Sequence, residues 1–140
     1  MAVKVYNAAK TGFADGSIDW DTNTIKIMLL GTAYVPDADH ANVAAITDEM
    51  TGEGYTRLTL VNCNVVNNLA TDKAELRADE PTWNAITMGK QCGGVVIYKD
   101  NGADASSIPI CYLDGAGFPA FINGGSFKIS WHADGIINFS

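Results

Sequence analysis

From Thr24 onward the apolar residues of this chain recur with a period of two, in short segments broken by glycine, proline, asparagine and aspartate. No other feature limits the fold as much, because successive strand side chains point to opposite faces, whereas a helix needs apolar positions three and four apart. Residues 24–30 (TIKIMLL) place Ile25, Ile27 and Leu29 on one face and Lys26 and Met28 on the other. Residues 74–79 alternate Ala74, Leu76 and Ala78 with Glu75, Arg77 and Asp79, as in a strand with one wet face. Residues 92–98 (CGGVVIY) are apolar on both faces and read as a central strand covered on both sides, closed by the turn signal Lys99-Asp100-Asn101-Gly102. Residues 108–113 have the same character, but Pro109 removes a ladder donor and pushes the segment toward an edge or a bulge. Further strands are expected over 55–61 after Gly52 and Gly54, over 83–88 after Pro81, over 126–131, and over 136–139 after the Asp134-Gly135 turn. Asn123-Gly124-Gly125 predicts a type I′ hairpin turn, since Asn-Gly accepts its positive φ angles. About seven to nine short strands with glycine turns and no repeat predict an all-β chain folded as a β-sandwich, with a jelly roll the favoured form.

Ahead of the strands, Val5, Ala8, Ala9, Gly12 and Phe13 have the spacing of one helical face. A short helix is therefore expected over 3–13, with Gly16 placed to end it in a left-handed conformation. The 140 residues are read as a single domain, with 1–16 an N-terminal helix or arm and 17–140 the sandwich. Residues 31–50 hold Pro36, several aspartates and His40, and read as a long excursion with a helical turn at 43–46. Asp15, Ser17, Asp19 and Asp21 alternate like a calcium loop, but the glycine and closing glutamate of an EF-hand fall in the wrong places, so capping is the expected role.

Nine Lys and Arg against sixteen Asp and Glu give a net charge of −7, which argues against nucleic acid as a partner. A 47% hydrophobic, 18% charged chain without a long apolar run argues against a membrane partner, and no secretory signal precedes Val5, so synthesis in a cytoplasm is expected. Cys63, Cys92 and Cys111 show neither Cys-x-x-Cys nor zinc spacing and read as buried structural thiols.

Catalytic motifs are missing, and the expectation is a protein that is not an enzyme, with no cofactor and no metal. Asp37-Ala38-Asp39-His40 reads as a solvated acidic loop before it reads as a metal site. Ser130, His132 and Asp134 share a strand face without being aimed at one another, and Glu49 with Glu53 or Asp79 with Glu80 would need a spatial pairing that sequence does not show. Trp131, in register with Phe127 and Ile129, is expected in the core. Trp20 and Trp83 stand beside polar turns, where exposed rings would form a glycan-stacking platform.

Several segments carry a family resemblance. They are Tyr6-Asn7-Ala8-Ala9-Lys10, residues 16–26 (GSIDWDTNTIK), Gly52-Glu53-Gly54-Tyr55-Thr56-Arg57, Pro81-Thr82-Trp83, Val96-Ile97-Tyr98-Lys99-Asp100 and residues 125–131 (GSFKISW). In these, spread over nearly the whole chain, it resembles small virion structural proteins of tailed bacteriophages: head decoration, cementing and head-fibre proteins. The resemblance implies a homo-oligomeric virion component on the outer capsid surface that binds and stabilises the major capsid protein. A head-fibre or tail-associated module binding a cell-surface glycan is the alternative it implies. Terminal arms and long loops carry contacts on rigid scaffolds, which makes Val3, Val5, Tyr6 and Phe13, together with Tyr34, Pro36, Asp37 and His40, the candidate interface residues.

Overall fold

The computed structural model describes residues 2–115 and 117–140. Its architecture is an all-β sandwich with a short N-terminal helix. The elements in chain order are β1 (Ala2–Val5), α1 (Asn7–Asp15), β2 (Ile25–Gly31), a 3-10 turn (Val43–Ala45), β3 (Leu58–Thr59), β4 (Asn64–Asn68), β5 (Lys73–Arg77), β6 (Thr82–Thr87), β7 (Cys92–Lys99), β8 (Ile108–Asp114), β9 (Asn123–Lys128) and β10 (Ile137–Phe139). One layer is a continuous five-stranded sheet, β1-β8-β7-β2-β3. The other is divided into a three-stranded sheet, β10-β5-β4, and a two-stranded one, β6-β9, so the sandwich has one of its two layers split.

The apolar faces of β2, β7 and β8 account for this layering. Ile25, Ile27, Leu29, Val95, Ile97, Cys111 and Leu113 point into the main core, where they meet Leu76, Trp83, Ile86 and Ile137 of the opposing layer. The alternate residues Met28, Leu30, Val96, Tyr98 and Tyr112 point the other way and form a second cluster with Tyr6, Tyr34, Val43 and Ile46. The excursion after β2 thus covers the outer face of the large sheet, which is why its central strands read as apolar on both sides.

Several sequence expectations are corrected. The helix does not reach back to residue 3: Ala2–Val5 pair with Asp114–Cys111 as an edge strand. Val3 and Val5 are β-branched and find a free edge of β8 there, an outcome local helical spacing cannot anticipate. The helix starts after Tyr6, in extended conformation, and ends at Gly16 with φ 81°, the left-handed cap expected. Asp15 and the residues after it cap no helix start; Asp15 accepts from the Ser17 N–H at 2.9 Å and Asn23 from the Asp19 N–H at 2.7 Å, closing turns.

Asn123-Gly124-Gly125 is no hairpin turn but lies inside β9, opposite Ile86 and Thr87. The positive φ expected of Asn-Gly is present, 88° at Gly124, and it serves a β-bulge instead. Pro109 is accommodated by a bulge where Ile97 pairs Cys111 and Tyr98 pairs Pro109. The strand expected over 55–61 shrinks to Leu58–Thr59, and β9 stops before Trp131, which packs half-buried against the core with its indole N–H on the Ala78 carbonyl at 3.0 Å. Glu75 is not on a wet face; it is 1% exposed and ion-paired to Arg77 at 2.6 Å.

A further bulge, between Trp83 and Ile86, puts Ala85 at φ 50° in an exposed position. An L side chain there costs about 1 kcal/mol that glycine avoids. Ala85→Gly is expected to raise the urea midpoint by the equivalent of roughly 0.5–1 kcal/mol, with an unchanged denaturant slope.

Candidate functional site

The residues between β2 and β3 that cover the large sheet are held at many points. Asp48, just before β3's approach, accepts the Ala33 N–H at 2.8 Å and ion-pairs with Lys90, while its carbonyl accepts the Gly31 N–H at 2.7 Å. The tip is tied down by Tyr6, which joins β1 to α1, and by Asn7, the first residue of α1. Asn7 bonds the Ala38 carbonyl through its backbone N–H at 2.8 Å and Asp39 through its side chain at 2.7 Å. Tyr6 Oη lies 2.7 Å from Tyr34 Oη, which lies 2.9 Å from His40 Nδ1. Burial pushes the Tyr6, Tyr34 and Tyr112 phenols above the ordinary tyrosine range, so they act as neutral hydrogen-bonding groups. The 3-10 turn is fixed to the β7–β8 connection, with Val43 N–H on Ser107 at 3.0 Å and Ala44 N–H on Asp104 at 3.1 Å.

This places the candidate residues in two layers. Tyr6 and Tyr34 are buried, at 0% and 5% exposure, and serve beneath the surface, not as contacts; aromatic rings beside a β-sheet bury readily once each hydroxyl has a partner. Val5 packs on the main core. Val3, Pro36, Asp37 and His40 do reach solvent, fully or in part. Phe13 belongs elsewhere: it lines a groove of about 550 Å3 with Trp20, Val65, Leu76 and Phe139.

Around Pro36 the surface is dented on two sides. A groove of about 190 Å3 is lined by Val3, Lys4, Pro36, Tyr112 and Asp114, and one of about 440 Å3 shares Pro36, Tyr112 and Asp114 and extends to Phe118 and Pro119. Val35, 77% exposed, stands beside them. Lys4, Val35, Tyr112 and Asp114 were not singled out from sequence. The apolar pair Val35-Pro36 inside an acidic loop was the available signal, whereas Tyr112 and Asp114 look like ordinary strand residues until β1 is seen to pair beside them.

Trp20 and Trp83 form no stacking platform. They are 3% and 2% exposed, with their indole N–H groups on the Arg77 and Thr56 carbonyls at 2.9 and 2.7 Å. Among the described residues no three His, Cys, Asp or Glu side chains gather as metal ligands. His132 Nδ1 accepts the Asp134 N–H at 3.1 Å, closing a turn, and Glu49 and Glu80 are engaged by Arg57 and Lys128. Cys92 and Cys111 are buried free thiols and Cys63 is half-buried; burial raises all three above the usual thiol range, which keeps them protonated and slow to react.

No protein family model, no curated protein and no solved structure matches this chain.

The ion pairs that hold the loops give the fold a pH dependence. Asp48, Asp100 and Asp104 are held below the usual carboxylate range, chiefly by bonds from Lys90, Lys26 and Arg57, and Glu80 likewise by Lys128. A carboxylate whose folded value is depressed stabilises the native state above its unfolded value, and that contribution disappears as pH falls through the folded one. The melting temperature is therefore expected to be flat from about pH 6 to 8 and to fall progressively below about pH 4, with thermal unfolding across that range as the check.

Proposed function

We propose that this chain is a structural protein of a bacteriophage virion that docks on the outside of the capsid, binds the major capsid protein and stabilises the lattice, as a homo-oligomer. The observation that carries the reading is a projecting apolar tip, Val35-Pro36, on a loop pinned by Tyr6, Asn7 and Asp48. A contact loop ordered before binding loses little entropy on docking, which is what a cementing protein requires of its contact surface. Lys4 and Asp114, on the same face of the large sheet as Tyr112, give this surface a polar rim. A net charge of −7 suits an external position, since packaged DNA would repel it from inside. The glycan-binding alternative loses its two expected aromatics to the core.

The test is co-sedimentation of purified protein with capsids that lack it. Saturable binding is expected, with Val35→Asp weakening it at least ~10-fold while leaving the circular dichroism spectrum unchanged. Absence of binding to heads would overturn the capsid reading, and full binding by the variant would overturn this surface as the contact.

A further inference from the structure

The stretch that carries Val35-Pro36 is anchored from below by a chain of three side chains, Tyr6, Tyr34 and His40. Among the described residues, Tyr6 Oη has only Tyr34 Oη as a partner, and Tyr34 Oη has only Tyr6 and His40 Nδ1. Each phenol has one proton to place, so the chain is fully bonded in one direction only. Tyr6 donates to Tyr34, Tyr34 donates to Nδ1, and the neutral imidazole keeps its proton on Nε2. An imidazolium carries a proton on both ring nitrogens and has nothing to accept with. When its Nδ1–H donates to Tyr34, one phenol proton is left without an acceptor in a site where Tyr6 is 0% exposed. When the ring turns away instead, the Tyr34 proton loses its acceptor, and the stack of His40 on Tyr6, with ring centres 6.4 Å apart, is given up. Either way the loop loses its anchor at His40.

We propose that Tyr6, Tyr34 and His40 form a proton-operated latch on the docking loop, closed while His40 is neutral and released when its imidazole is protonated. Histidine is the side chain whose ordinary charge change falls at about pH 5–8, so the latch answers to an acidification milder than the one that breaks the carboxylate ion pairs. The other ionisable groups around the chain do not replace the lost acceptor. On the loop itself, Asp37 accepts the Asp39 N–H at 2.9 Å and Asp39 accepts the Asn7 carboxamide at 2.7 Å. From the sheet beneath, Tyr98, Tyr112 and Cys111 are all held protonated by burial. Lys4 and Asp114 line the groove that Pro36 borders. The bond from the Asn7 N–H to the Ala38 carbonyl does not depend on His40, so release stays local to the loop.

The inference rests on the docking loop of the proposed function for its consequence, weaker capsid binding in acid, while its test uses the free chain alone. Hydrogen exchange, corrected for the intrinsic pH dependence of amide exchange, is expected to show the amides of 33–40 ~10-fold less protected at about pH 5 than at about pH 7.5, with those of 92–99 unchanged. His40→Asn keeps a side-chain acceptor and has no titrating proton, so its protection is expected to be the same at both pH values. Tyr34→Phe is expected to lack the pH response as well, starting from the less protected level. Nitrogen NMR at the higher pH is expected to find the His40 proton on Nε2, with the other histidine, His132, assigned by His132→Gln. Equal protection of 33–40 in the wild type at both pH values, the same loss in His40→Asn, or a neutral His40 with its proton on Nδ1 would overturn the latch and leave the capsid reading standing. Absence of binding to heads would overturn the capsid reading and leave the latch. Should Tyr34→Phe fail to fold, the His40→Asn comparison decides.

Discussion

Alanine at position 52 is expected to abolish the native state or to lower its stability by more than ~3 kcal/mol, which a urea titration reads directly. Gly52 has φ 147°, and a Cβ there would overlap the Thr87 carbonyl oxygen and come within 2.9 Å of the Thr87 carbonyl carbon. The obstacle is backbone on both sides. Thr87 N–H bonds the Glu53 carbonyl at 2.8 Å and Gly89 N–H the Thr51 carbonyl at 3.2 Å, so the segment after the β2–β3 excursion is laced to the end of β6 around this residue. Relieving the overlap breaks those bonds and shifts Met88, which is 1% exposed in the main core. Gly102→Ala is the control: its φ of 94° imposes the same kind of strain with nothing within 4 Å, so a loss of only about 1 kcal/mol is expected.

The second large effect is expected at Arg57. Its Nε and Nη2 bond both oxygens of Glu49 at 2.8 Å, its Nη1 and Nη2 bond Asp104 at 2.7 and 3.1 Å, and Nη1 also reaches Tyr98 Oη at 3.3 Å. The guanidinium sits 5.5 Å from the centre of the Tyr98 ring. All five donors of the fork are engaged, joining the end of the long excursion, the approach to β3, the outer face of β7 and the β7–β8 connection. Arg57→Met keeps the apolar stem and leaves two carboxylates without their cation. A loss of about 2–3 kcal/mol is expected near pH 7, with the more exposed Asp104 arm contributing the smaller part through solvent screening. The sign of the pH dependence identifies the cause. Arg57 is the main reason the Asp104 carboxyl is depressed, so the wild type loses that contribution as pH falls through the folded value, whereas the variant never had it. The difference between the two proteins should therefore narrow below about pH 4. Lysine at this position, with one point charge in place of a planar fork, is expected to recover less than half of the loss.

The period-two segments made the sandwich legible because burial rewards alternation directly. That both faces of β7 are apolar follows from a covering layer, and the sequence of 92–98 announced that cover before its source was visible. What escaped the reading depended on partners far away in the chain. Val3 and Val5 fit a helical face equally well until β8 offers an edge. Asn64-Val65-Val66-Asn67-Asn68 carries too few inward apolar residues to stand out as a strand, and Glu75 looks solvent-facing until Arg77 and Asn68 meet its carboxylate at 3.0 and 3.3 Å. At the candidate surface, Pro36 and Asp37 were read correctly as loop residues, but Tyr6 and Tyr34 serve as its foundations. Aromatic residues in a terminal arm and a polar loop resemble contact residues in sequence, and only their mutual hydrogen bond shows that they face inward.

The pairing of β1 with β8 also sets an order of events during synthesis. Val3 cannot meet Leu113 until β8 has left the ribosome, so the residues of β1 wait for most of the other strands before they find their place. Until they do, the edge of β8 stays open in a strand of high apolar content, during the interval when nascent copies are most crowded. A chain shortened by those few residues would carry that open edge permanently, and its failure would show as aggregation during expression before any loss of equilibrium stability could be measured.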